Sequence, residues 1–201
     1  LGAGRLYVNG QGTENMAIYV GTNSRLILDA ALGIDQGGDQ VTKYGEGILE
    51  SSDGKLTDIP TWQLMGGTLV YDGELATVNL NGATLVGNEM VAISDTLHVA
   101  GGDSTAKNVM FFGTTFNFGN SNTKLIADNF VYSPAGDVVS AGNGVIVAKD
   151  LTINKDTGLP SAGGLDVNLD DGILRLVATE WETARTLCGG TLSAPRGKVK
   201  R

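Results

Sequence analysis

Residues 125–132 read LIADNFVY, and residues 146–153, twenty-one positions on, read IVAKDLTI. Each octet opens with two apolar residues and an alanine, passes through a polar pair, and closes with two large apolar residues one position apart. A third stretch, AISDTLHV (92–99), fits the same plan, with Ile93 over Ile126, Asp95 over Asp128, Leu97 over Phe130 and Val99 over Tyr132. The offsets of 21 and 33 are unequal. A β-solenoid allows this, because its rungs stack while the loops between strands vary in length. The polar pair is then a corner, and Ile126, Phe130, Tyr132, Val147, Leu151 and Ile153 are expected to point inward.

The surroundings agree with this plan. Strand-like runs recur, among them AIYV (17–20), RLILDA (25–30), TLVY (68–71), TVNL (77–80), VMFF (109–112), TFNF (115–118), LDVNL (165–169) and ILRLVA (173–178). Between them lie VGTNS, QGGD, NG, AGGD, GNSN and AGNG, whose Gly, Asn and Asp tolerate positive φ. GGTL occurs at 66–69 and again at 189–192. Gly contributes 30 of 201 residues, about twice the usual share, and Pro only 4, which favours strands broken by tight turns. The expected fold is all-β: a parallel β-helix (solenoid) with an irregular N-terminal excursion and a short C-terminal helical cap. A β-sandwich or jelly roll is the alternative.

Residues 33–63 have few strand runs and many charges and read as a long loop. The chain accordingly divides into an N-terminal β-rich segment 1–63, solenoid rungs 64–178, and a cap with a basic tail, 179–201. Ile173, Val177, Trp181, Ala184 and Cys188 fall on one helical face. The pattern predicts a strand at 173–178, a short helix at 179–187 and Gly189 as its C-cap. A cover of this kind protects the open edge of a last rung.

Net charge is −8, and the first 182 residues carry all 22 acids against 9 of the 14 basic residues. Such a body repels nucleic acid, leaving only the basic tail 195–201 as a point of phosphate contact. The single cysteine, Cys188, cannot close an intrachain disulfide, and with one histidine, His98, a Cys/His metal site lacks ligands. No apolar run approaches the ~20 residues of a membrane helix. The first residue is Leu rather than Met, which points to a processed product or an excised fragment.

No nucleophile elbow, P-loop, dinucleotide fingerprint or zinc motif is present. The expected set of catalytic, cofactor-binding and metal residues is therefore empty. His98 lies between Leu97 and Val99, which sends it to the outer side of a strand. In LDVNLDDG, alternation puts Asp166, Asn168 and Asp170 on one side, a row that suits a cation or a sugar and equally a solvated strand face. GIDQGGDQ (33–40) and VAGGDS (99–104) share features with calcium β-roll sequences without the full nonapeptide. Trp62, Tyr44 and Tyr132 would serve carbohydrate or protein contact where exposed, and each is equally explained by packing.

From GGTLVYDGELATVNLNGATLVGN (66–88) through the octets to about residue 178, the chain resembles the passenger region of bacterial autotransporters and related surface adhesins. That resemblance implies a right-handed parallel β-helix on a cell surface, acidic and nearly free of cysteine. Phage tail, spike and capsid-decoration proteins share the same Gly/Asn/Thr/Val character. The leading expectation is a non-enzymatic structural or adhesive protein, extracellular or at the cell surface. It would contact copies of itself, assembly neighbours, a surface glycan or a protein receptor. A virion structural protein is the alternative, and a polysaccharide-degrading β-helix enzyme acting through Asp166 and Asp170 is the second.

Overall fold

A computed structural model describes residues 6–8, 15–29, 32–34, 40–51, 55–56, 59–120, 122–133, 139–141, 144–154, 166–168, 173–177, 192–193 and 198–200. Over these residues the protein is all-β, with no helix. Each strand pairs in parallel with a strand about one turn further along the chain, and the whole is a β-solenoid of about five turns. A sandwich or jelly roll is built from antiparallel neighbours, so the alternative fold is excluded.

Three ladders run side by side. The first face stacks Met16–Tyr19, Gln40–Tyr44, Thr61–Met65, residues 77–81, residues 96–101 and Thr115–Phe118. The second stacks Arg25–Leu28, Ile48–Ser51, Thr68–Tyr71, then residues 84–86, 103–107 and 124–127, and Val145–Ala148. The third stacks residues 73–75, 91–93, 109–111 and 130–132, then Asp150–Asn154 and Ile173–Val177.

The opening echo is a true rung repeat. Leu125 stands over Ile146, and Phe130 over Leu151. The rung on the other side is STAKNVMF (104–111), in which Ser104 pairs with Leu125 and Phe111 with Tyr132. AISDTLHV is not the third copy. Ile93 pairs with Phe111, while Leu97 pairs with Phe116 on the first face. A bulge at Gly87–Met90, inside the strand Thr84–Gly101, shifts the register between Val86 and Val91. The Asp of AISDTLHV therefore marks a different corner, the one between the third and first faces.

Of the residues expected inside, Phe130, Tyr132 and Leu151 are buried. Ile126 and Val147 are instead half-buried on the outer side, and the inward positions are Leu125, Ala127 and Ile146. The cause is the corner. Asp128 and Asn129 bend the chain, with Asn129 at φ 55°, so the alternation before the bend is not in phase with that after it. The side chain of Ile153 lies outside the described residues. Of the three aromatics open to contact or packing, Trp62 and Tyr132 pack inside at 0 % and 1 % accessible, whereas Tyr44 is exposed.

The core is graded by size across the prism. Phe111 stacks on Tyr132 at 5.7 Å, and Phe116 meets Phe111 edge-on at 5.4 Å. Ala106 and Ala127 fill the second face at the same level, both fully buried. The small pair lies beside Leu125, also fully buried on the second face, so the grading holds at this one position of the rung.

The stack reaches further toward both ends than expected. Within 33–63, read as a long loop, Gln40–Tyr44, Ile48–Ser51 and Thr61–Met65 take regular places in the first and second faces. Charges hid these strands: Lys43 and Glu50 interrupt the apolar runs although the strands alternate normally around them. Beyond 178, Leu192–Ser193 and Lys198–Lys200 pair with Val167–Asn168 and Ile173–Arg175. Part of the basic tail is thus a strand. The helix expected at 179–187, with Cys188 and Gly189, lies outside the described residues.

Candidate functional site

Strand alternation on the first face sends Trp62, Val78, Leu97 and Phe116 inward and leaves the residues beside them outward. Thr61, Thr77, Thr96 and Thr115 stand in register as one outward column. Two positions along the same strands, Gln63, Asn79, His98 and Asn117 form a second column. Successive rungs are ~4.8 Å apart, so each column is a regular row of hydrogen-bonding groups. Along the edge runs a third column, Tyr19, Tyr44, Met65 and Asn81. Tyr19 is 76 % exposed and Tyr44 44 %.

Among the described outward residues of this face, from Ala17 to Asn117, none is Asp, Glu, Lys or Arg. The second face differs. There Arg25 pairs with Glu50, Lys124 lies 4.0 Å from Asp103, and Lys107 stands in register with Asp128. The first face is bounded by Asp95, which accepts hydrogen bonds from the Thr77 hydroxyl at 3.1 Å and the Thr114 hydroxyl at 3.5 Å.

His98 stands on the outer side of its strand, as alternation predicts, with Asn79 and Asn117 as its register neighbours. Its Nε2 is enclosed and has no hydrogen-bond partner. Its column neighbours among the described residues are amides, which offer hydrogen bonds. Asp166 and Asn168 are in register with Val145 and Val147, while Asp170 lies outside the described residues. In VAGGDS, Val99 is buried and Asp103 is the partner of Lys124. Most of GIDQGGDQ lies outside the described residues. Among the described residues no group of three or more His, Cys, Asp or Glu gathers to hold a metal, and no helix is long and apolar enough to cross a membrane.

One buried charge escaped the sequence analysis. Lys43 is fully buried at an inward position of the first face, and its Nζ donates to Gly45 O at 2.6 Å and Gly66 O at 2.8 Å. Burial lowers its pKa, partly offset by the carboxylate of Glu46. The ammonium ties two successive Gly corners together. Gly67 makes room for it: at φ +63° a Cβ there would fall 2.3 Å from Lys43 Nζ and 2.4 Å from Gly45 O.

The outward columns also escaped notice, although their signal is in the chain. TWQ (61–63), TVN (77–79), TLH (96–98) and TFN (115–117) repeat Thr, a large apolar residue, then an amide or imidazole. Aligning on the apolar residues alone hides that rule. No family model matches the chain, and no curated protein or solved structure matches it either.

Proposed function

We propose that the chain is a non-enzymatic structural or adhesive protein, a rigid β-solenoid shaft that presents one of its faces to a surface or to an assembly neighbour. The observation that carries this reading is the first face. Its outward side is a regular, uncharged array of hydroxyl and amide groups on a fully packed core, in a chain that otherwise carries 22 acids and 14 basic residues. Rigid elements hold contact groups at fixed spacing without an ordering cost at each encounter. With this role goes an extracellular or cell-surface setting, where such a face meets its surface or neighbour. Native mass measurement together with pull-downs against cell surfaces and against the protein itself tests the reading. A strict monomer with no surface, host-cell or self contact would refute it.

A further inference from the structure

We propose that the first face binds a neutral, linear polysaccharide laid along the solenoid axis. This inference rests on the contact-scaffold reading above and names the ligand class for its face.

Three observations converge. The first is charge. The described outward residues of the face carry no ionisable Asp, Glu, Lys or Arg, although the second face of the same rungs carries both signs. A face cleared of charge is complementary to an uncharged ligand, and it neither attracts nor repels ions over distance. The second is hydrogen bonding. Gln63, Asn79, His98 and Asn117 form one column, in which the three amides each donate and accept. Sugar hydroxyls need both.

The third is spacing and edge. The column repeats every ~4.8 Å, close to the advance of one pyranose residue in an extended chain, so each rung meets one sugar. Tyr19 and Tyr44 stand exposed in register along the border, where an aromatic face packs against the C–H side of a sugar ring while its hydroxyl stays wet. The strip is only three outward residues wide. That width suits a single extended chain better than the ~800 Å² per partner of a stable protein interface.

The test is affinity electrophoresis of the full chain in native gels containing dissolved hydroxyethyl cellulose, galactomannan or dextran, with hyaluronan as the acidic comparison. The expected result is retardation by at least one neutral polysaccharide, equal at low and high salt because no ion pair forms. Asn79→Asp combined with His98→Ala should weaken binding about tenfold or more. Lys107→Ala, on the second face, should leave it unchanged. Thermal melts of each variant check that it remains folded, which is expected because Asn79 and His98 lie on the outer side.

No retardation by any neutral polysaccharide, or retardation by hyaluronan alone that fades with salt, would overturn the inference. So would first-face variants that bind like the unaltered chain. A dimer seen by native mass that Asn79→Asp dissociates would assign the face to a second copy instead. In that case the polysaccharide fails while the contact-scaffold reading stands; a monomer without glycan, protein or self contact removes both.

Discussion

Asn129 donates its side-chain amide to the side-chain oxygen of Asn108 at 2.8 Å, and Asn108 in turn donates to Gly87 O at 2.7 Å. Both asparagines hold positive φ, 55° and 52°. One residue type thus answers two demands of the corner between the second and third faces. It tolerates the left-handed backbone that the bend needs, and it bridges one rung to the next. The two demands separate experimentally. Asn129→Gly keeps the backbone and loses the bridge; Asn129→Ala loses both. The expected cost is about 1 kcal/mol for Gly and about 2–3 kcal/mol for Ala, read from urea unfolding midpoints. Equal costs would show that the backbone conformation contributes nothing.

Tyr132 is buried against Phe111 and Phe116, yet its hydroxyl has no hydrogen-bond partner. Phe keeps the ring contacts and removes the stranded group. Tyr132→Phe is expected to stabilise the fold by up to about 1 kcal/mol. The pH dependence follows from the same burial, which raises the phenol pKa above its ordinary 10.0. A raised pKa contributes stability that is fully present below the unfolded value and is lost as pH rises above it. The unaltered chain should therefore lose stability above pH 10.0 relative to Tyr132→Phe, measured by denaturant midpoints across that range.

How far the fold was legible depended on which property each residue was chosen for. Leu125, Phe130, Ile146 and Leu151 are selected for burial, and their recurrence at one spacing exposed the rungs. Ala106 and Ala127 are selected for smallness, because Phe111, Phe116 and Tyr132 fill the space opposite. Alanine is too common for that choice to stand out, so Ile126 and Val147 were placed inside in its stead. Asp95 and Asp128 look alike in sequence although they turn different corners, which misaligned AISDTLHV. Lys43 looks like a surface residue because its burial depends on carbonyls from two rungs. The first face was least legible: its Thr column recurs at uneven spacing, its second column shares no single residue type, and only the register places Gln63, Asn79, His98 and Asn117 in line.

Lys43 and Gly67 form one device, and each is expected to fail in its own way. Lys43→Met removes the ammonium and leaves Gly45 O and Gly66 O short of a donor in a buried corner. The expected loss is about 1–3 kcal/mol. Because burial lowers the Lys43 pKa, its contribution is full above the unfolded value of 10.5 and falls as pH drops toward the lowered folded value; below that it is constant. In that window the unaltered chain should gain stability with rising pH and Lys43→Met should not. Gly67→Ala forces a Cβ against Lys43 Nζ and two backbone carbonyls at positive φ, so it should destabilise by more than Lys43→Met. A milder effect, read from thermal melting of both variants, would mean that the corner can open.

Asp72 holds the bulge that breaks the 21-residue repeat. Its carboxylate accepts the backbone N–H of Glu89 at 2.8 Å and of Met90 at 3.1 Å, and the side-chain amide of Asn88 at 3.2 Å. These bonds run from one rung to the next, across the place where the register shifts between Val86 and Val91. The bulged residues have no register partner in the neighbouring strands, so the N–H groups of Glu89 and Met90 depend on this one side chain. Asp72→Ala should cost about 1–2 kcal/mol, since charge-assisted bonds are lost while water reaches the exposed groups. Asp72→Asn keeps an acceptor and should cost less. Hydrogen exchange gives the sharper reading: the amides of Glu89 and Met90 should lose protection in Asp72→Ala while those of Val91 and Ile93, paired within the third face, keep theirs. Loss of protection along the whole third face would instead show that the bulge sets the register of the rungs on either side.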